Sequence, residues 1–353
     1  MINHDSDKFY DDEGASENET IKQISDILNN CQSYTTKKLN KAIEQLKPSD
    51  QEKSPKHPSF TQFSSYFINI DGNTTNFNTL LTELKRVNHK FSVIGIGETN
   101  TEQPLQGLYQ IPGYKGFYQN TVKNKAKGTG VALYVADNLN AEIIESLGHC
   151  NADIESLFVR ITPPSGSKTI TCGVIYRPPS GNFQNFVDEY DHLCTLLPSS
   201  GVRLMGDFNV DLLKINNESN SGIHIQFENS FTKAGLTPVI SVPTHKRANC
   251  KPSCIDNIFT SDTERVILSG VIEDQIGDHL PIFEITDIQF EDYSKHEKHV
   301  KHYEFSNENI RKFVTKLEND ITGLTISKRF SEFTEIFGKA LDYACKLEKP
   351  KFT

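Results

Sequence analysis

With 353 residues, 46 acidic against 37 basic side chains and a formal charge of -9, the chain lacks the basic excess of a protein that holds nucleic acid by bulk electrostatics, so any contact with phosphates has to be local or metal-mediated. The N-terminus, Met1 to Asp12, is polar and acidic and offers no apolar segment long enough for export or membrane insertion, so no membrane partner is expected. Seven cysteines, odd in number and widely scattered, fit reduced thiols in an intracellular compartment better than a disulfide framework.

The length suits one large α/β core with tails. Residues 1–58 form a polar, partly helical extension, with helix-like stretches at Glu19–Cys31 and Thr35–Leu46 and a Pro-, Ser- and Lys-rich linker from Lys47 to Pro58; a solvated appendage is expected. From Phe60 the character changes. Tyr66–Ile70 reads as a strand, Asn78–Val87 as a helix with Leu80, Leu81 and Leu84 on one face, and Phe91–Ile96 as a second buried strand. Strand–helix–strand spacing points to a layered α/β core. Gly130–Val135, Glu155–Ile161 and Ile170–Tyr176 read as consecutive strands of a meander, followed by a helix at Phe183–Leu197. A further helix is expected at Phe227–Ala234, closed by Gly235, with strands at Cys254–Thr260, Val266–Ile272 and Leu280–Ile285. The core therefore spans 59–288, and residues 289–353 form a charged, helical extension with amphipathic stretches at Ile310–Leu317 and Phe330–Leu347.

Leu204 to Leu213 organises the core. Val202–Met205 reads as the end of a buried strand, Gly206 as the turn after it, and Asp207 and Asn209, two apart, as side chains leaving the strand end on the same side. A carboxylate there can hold or deprotonate water, and an amide can hold a phosphate oxygen without adding negative charge. Asp207, Asn209, Asp211 and Glu218 imitate a calcium loop, but the sixth place, which needs Gly, holds Leu212. His245, Cys250 and Cys254 have a spacing faintly like a zinc site and lack a fourth ligand. His296, His299 and His302 lie among lysines and read as a solvated basic linker. Lys123, Lys125, Lys127, Lys246, Arg247 and Lys251 suit contact with a nucleic-acid backbone and equally suit solvated loops.

Polar residues gather at the remaining strand ends: Asn69, Glu98, Tyr176, Asp256 and the pair Asp278-His279. Carboxylates with Asn and one His suit metal-assisted phosphoester hydrolysis, and hard oxygen ligands select Mg2+ or Mn2+. Taken in order, Ile68-Asn-Ile70, Gly97-Glu-Thr99, Gly128-Thr-Gly-Val-Ala-Leu-Tyr-Val135, Val174-Ile-Tyr-Arg-Pro-Pro179, Gly206-Asp-Phe-Asn-Val-Asp-Leu-Leu213, Cys254-Ile-Asp-Asn-Ile-Phe259 and Gly277-Asp-His-Leu-Pro-Ile282 resemble the endonuclease/exonuclease/phosphatase superfamily, and most nearly the endonuclease domain of LINE-type non-LTR retrotransposons. The resemblance runs from Ser59 to Asp287 and implies a four-layer α/β sandwich of two packed, mainly antiparallel sheets flanked by helices.

Carried over position by position, the resemblance makes Glu98 the main metal ligand, with Asn69 and Asp278 beside it. Asp207 orients and deprotonates the attacking water, Asn209 holds that water or the phosphate, and Tyr176 hydrogen-bonds the phosphate or leaving oxygen. His279, kept cationic by Asp256, stabilises the pentavalent phosphate. The pattern is departed from at Asn257 and Gly277, where His and Ser are common, at Asn100, where Trp is frequent, and after Asn69, where an Arg-Ser-Leu run is missing. The implied function is Mg2+-dependent nicking of target DNA, at work in the nucleus, by a monomer whose reverse transcriptase partner is not in this sequence. The rival expectations are a phosphatase acting on inositol phosphates or phospholipid, and a decayed copy that only binds DNA.

Overall fold

A computed structural model describes residues 31–46, 60–101, 107–119, 129–162, 169–214, 222–291 and 307–321, with a few helical positions between 336 and 343. All of the expected helix Glu19–Cys31 but its last residue, the linker 47–58, Lys123, Lys125, Lys127, Glu218, the three histidines 296, 299 and 302 and most of Phe330–Leu347 lie outside the described residues. Two compact units are present, Met1–Asp292 and Tyr293–Thr353. In the second, a helix covers Asn307–Ile321, bracketing the expected Ile310–Leu317. No described helix is long and apolar enough to cross a membrane.

The first unit is a sandwich of two seven-stranded sheets. In chain order the described elements are β1 (Gln32–Tyr34), α1 (Thr36–Leu46), β2 (Phe60–Asn69), α2 (Asn73–Arg86), β3 (Val93–Gly97), β4 (Tyr114–Gln119), β5 (Val131–Ala136), β6 (Asn140–Ile143), β7 (His149–Cys150), β8 (Glu155–Thr162), β9 (Ile170–Tyr176), α3 (Phe183–Leu196), β10 (Val202–Asp207), α4 (Gly222–Lys233), β11 (Thr237–Pro238), β12 (Asp256–Thr260), β13 (Val266–Ile272) and β14 (Ile282–Glu291). One sheet runs β1-β13-β14-β2-β3-β5-β4; the other runs β11-β12-β10-β9-β8-β6, with β7 also on β8. Most pairs are antiparallel, and β1/β13, β2/β3 and β9/β10 are parallel.

Alternation within the strands sorts side chains into three apolar layers. Phe63, Phe67, Val93, Leu133 and Val135 of the first sheet meet Leu157, Val159, Cys172, Val174, Met205 and Ile258 of the second in a core between the sheets. On the outer face of the first sheet, Tyr66, Ile68, Ile94 and Ile96 pack with Leu39 and Ile43 of α1 and Phe77 and Leu80 of α2. On the outer face of the second, Phe158, Ile175 and Leu204 pack with Phe186 and Tyr190 of α3 and Phe227 and Phe231 of α4. This is the expected helix–sheet–sheet–helix order.

Three expectations need correcting. β5 and β8 are not neighbours in a meander: they lie in different sheets, and of the three strands only β8 and β9 pair. All six residues of β5 are buried, so its sequence carries no polar face to say which sheet it joins. The described part of the N-terminal extension is no solvated appendage, since β1 pairs parallel with β13 and α1 covers the first sheet. Finally, Gly206 makes no turn and sits inside β10. A Cβ there would lie 2.0 Å from the Ile175 carbonyl oxygen, so the glycine is required by the close approach of β9.

Candidate active site

A row of polar side chains crosses the second sheet at one end of the core. In the register, Glu155 of β8 lies opposite Tyr176 of β9, Tyr176 opposite Asp207 of β10, and Asp207 opposite Asp256 of β12. All four are buried. The first sheet supplies the facing groups. Asn69 ends β2 and Glu98 directly follows β3, its parallel neighbour. The Asn69 amide spans the gap, donating from Nδ2 to Glu98 Oε1 at 2.8 Å and to Asp207 Oδ2 at 2.9 Å. Burial first, and then the nearby Glu98 and Asp207 carboxylates, raise the Tyr176 hydroxyl far above its ordinary range.

His279, in the turn before β14, closes the cluster. Its Nδ1 lies 2.9 and 3.1 Å from the two Asp256 oxygens. Its Nε2 lies 4.0 Å from Asp207 Oδ2 and 3.7 Å from Asp278 Oδ1. Burial opposes the imidazolium, but Asp256, by charge and hydrogen bond, with Asp207 and Asp278 behind it, outweighs burial and pushes the ring up to about 10. Burial and the neighbouring Asp256 carboxylate push Asp207 up to about 7, against the pull of His279 and of the N–H groups of Asn69 and Asn209. The result is one cationic ring among several carboxylates, an excess of negative charge that a divalent cation would relieve.

Local backbone supports this placement. Glu98 and Asn209 both adopt left-handed conformations, at φ 50° and 49°, as do Asp71 and Asn100 close by in sequence. Such values are uncommon outside glycine and concentrate where strain serves a site. Arg177 holds the loop after β10: its Nε donates to the Phe208 carbonyl at 2.7 Å and its Nη2 to the Asn209 carbonyl at 2.9 Å.

Three comparisons with known proteins bear on this arrangement. Residues 170–283 match the family model described as endonuclease-reverse transcriptase. No curated protein matches the chain by sequence. Among solved structures, the endonuclease domain of TRAS1, a telomere-specific non-LTR retrotransposon, is similar with a TM-score of 0.51 at 15% identity, over 64% of this chain and 98% of that one. The fold is that of the endonuclease/exonuclease/phosphatase superfamily. The AP endonuclease LMAP from Leishmania major is similar in the same way, with a TM-score of 0.51 at 12% identity over 76% of this chain and 98% of its own.

Within this superfamily fold, the eight residues singled out from the sequence meet at one place. Two of them point differently from expectation. Asn209 is not related to Asp207 by strand period: its backbone N–H caps Asp207 Oδ1 at 2.9 Å and its side-chain Nδ2 donates to the Arg177 carbonyl at 2.8 Å. Asn69 presents its NH2 to the carboxylates while its Oδ1 accepts from the Asp71 N–H at 3.1 Å. It orients Glu98 and Asp207 in this conformation, and ligation would require the amide to turn over. A divalent cation can be held by Glu98, a partly exposed carboxylate, with water completing its shell; Asp278 stands beside His279.

Three further neighbours carry no site signal in the sequence. Glu155 completes the polar row and accepts a hydrogen bond from the Gly130 N–H across the sheets. Asp71 faces Gly277, at which a Cβ would lie 3.7 Å from that of Asp71. In the sequence His245 groups only with Cys250 and Cys254, yet its Nε2 lies 3.2 Å from Asp278 Oδ2. Cys254 is buried against the Ile240 and Asp256 carbonyls, so the faint zinc-like spacing of His245, Cys250 and Cys254 does not become a site. Asn257 is structural: its amide pairs with both backbone groups of Ile240.

Proposed function

We propose that the chain is a metal-dependent phosphodiesterase that nicks DNA. The observation that carries this reading is the Asn69 amide holding two carboxylates from opposite sheets, 2.8 and 2.9 Å away, beside an imidazole fixed by Asp256 at 2.9 Å. That arrangement offers a base, a cation site and a charged donor facing one point. The match of 170–283 to an endonuclease-reverse transcriptase model favours a polynucleotide over an inositol phosphate or phospholipid.

In this reading Asp207 accepts a proton from water. Its carboxyl, raised to about 7, is a stronger base than an ordinary aspartate. The water oxygen bonds to phosphorus as the bond to the 3′-oxygen breaks, and the departing oxygen takes up a proton from solvent, leaving a 5′-phosphate and a 3′-hydroxyl. His279 donates from Nε2 to the phosphoryl oxygens that gain charge, and Asp256 keeps that ring charged and oriented. Tyr176 steadies the phosphate or the departing oxygen, and Asn209 holds the loop against Arg177. Mg2+ or Mn2+, held by Glu98 with Asn69 beside it, would neutralise phosphate charge when bound.

The test is nicking of supercoiled plasmid in Mg2+, with end analysis, beside phosphate release from soluble phosphoesters. Wild type should nick, EDTA should abolish nicking and added Mg2+ should restore it. Glu98→Ala and His279→Ala should each lower the rate by at least about 10²-fold. Unchanged nicking by either variant would falsify its assigned role, and phosphate release without nicking would replace the nuclease by a phosphatase.

A further inference from the structure

His245 stands outside the machinery described above, yet it is built into its wall. The segment around it is tied to the turn before β14 by backbone hydrogen bonds. Lys246 N–H donates to the Asp278 carbonyl at 2.9 Å and Leu280 N–H to the Thr244 carbonyl at 2.7 Å. The His245 and His279 rings are neighbours, tilted by 58° with centroids 4.9 Å apart. Asp278 lies between them, Oδ2 3.2 Å from His245 Nε2 and Oδ1 3.7 Å from His279 Nε2. One ligand atom from each of the three residues falls within 4.8 Å of the others.

We propose that His245, Asp278 and His279 form a binding site for Zn2+ or a similar transition-metal ion, and that its occupation shuts the neighbouring phosphodiesterase site. Two imidazole nitrogens and one carboxylate are a donor set that favours transition metals over Mg2+, which prefers oxygen. Contraction to metal–ligand distances of about 2.0–2.2 Å asks most of Asp278, whose side chain is partly exposed (35%). The outer support is already present. Asp256 occupies His279 Nδ1, so an ion binds at Nε2 by displacing the proton there to solvent, and Asp256 fixes the ring, as carboxylates commonly do for metal-bound histidines. An ion there takes His279 Nε2 away from the substrate phosphate. The inhibitory half of the proposal rests on the phosphodiesterase reading; the binding half does not.

Binding is measured by titrating the metal-free full chain with Zn2+ against a chromophoric zinc indicator, in millimolar Mg2+ and without substrate. The protein carries Cys250→Ser to remove a thiol that is exposed in the same loop. The readout is the difference between this protein and the same protein with His245→Gln or His245→Ala, circular dichroism having established that both variants are folded. We expect the histidine-containing protein to hold one more Zn2+ than either variant, or to hold it at least about tenfold more tightly. Equal uptake by all three overturns the site, as does release of the ion by Mg2+. In the nicking assay, Zn2+ should inhibit, and the concentration for half-inhibition should rise about tenfold in His245→Gln. Binding without inhibition overturns the inhibitory role, whereas wild type that never nicks DNA overturns the phosphodiesterase reading and leaves the titration to decide the metal site.

Discussion

Asp256 touches His279 and nothing in it need touch substrate. Asp256→Asn keeps the size of the side chain and removes the charge that holds the ring cationic, so it should lower nicking by on the order of 10²-fold while the melting temperature changes little. A collapse in stability of the same variant would make Asp256 a structural residue instead. Asn257, its neighbour, should behave in the opposite way. It is fully buried and its amide pairs with the Ile240 N–H and carbonyl at 3.2 and 2.8 Å. Asn257→Leu leaves those groups without partners, so a loss of about 1–3 kcal/mol is expected from denaturant unfolding, with nicking per folded molecule retained. At this scale residue types were legible in the sequence and orientations were not. The polar character of Asn69, Glu98, Asp207 and His279 at strand ends was enough to gather them. Which atom of the Asn69 amide faces the carboxylates, and the turn of Asn209 towards Arg177, depend on left-handed backbone that no sequence pattern announces.

Among the elements, β10 has two contrasting ends. Asp207 closes it at the site, and Arg203 enters the core at the other end, fully buried. Arg203 Nε lies 2.8 Å from Glu284 Oε1 on β14, and its Nη1 donates to Asp262 at 2.9 Å. The Ser65 hydroxyl of β2 donates to the same Glu284 oxygen at 3.0 Å. This ion pair crosses from sheet to sheet. Breaking it leaves the buried guanidinium with Asp262 as its remaining acidic partner, and Glu284→Gln should cost about 3 kcal/mol in denaturant unfolding, the low end for a broken buried pair. The double variant Arg203→Met with Glu284→Leu should recover most of that loss; if it stays as unstable as the single variant, the deficit lies in packing and not in charge. The pair was invisible beforehand, because Arg203 and Glu284 sit within apolar runs that read as plain strands. Strand existence was easier to see: β9 and β13 were bounded correctly by their apolar runs and flanking turns. β4, whose burial is only partial, and the short β6 offered too weak a pattern.

For the whole molecule, the sandwich does not begin at β2. β1 pairs with β13, and Leu39 and Ile43 are buried in the outer layer of the first sheet. A chain starting at residue 59 bares both the edge of β13 and that apolar face. It should unfold at lower denaturant by several kcal/mol, at about 1.5–3 kcal/mol per fully buried aliphatic side chain, and should associate through the open edge. Equal stability of the shortened and full chains would show that 31–46 merely rests on the surface. The amphipathic pattern of Thr35–Leu46 was legible, but its docking was not, since a polar helix that packs on a sheet and one that stays in water differ only in what they meet.

Asn69 and Glu98 belong to one sheet, and Tyr176, Asp207 and Asp256 to the other. The chemistry is thus shared by two halves that no covalent turn joins at that point, and slippage of the layers by an ångström would disband it with every strand still intact. On gentle heating, enzymatic output should therefore fade before helical or strand signals do, which makes turnover a finer thermometer of this interface than any spectroscopic melting curve.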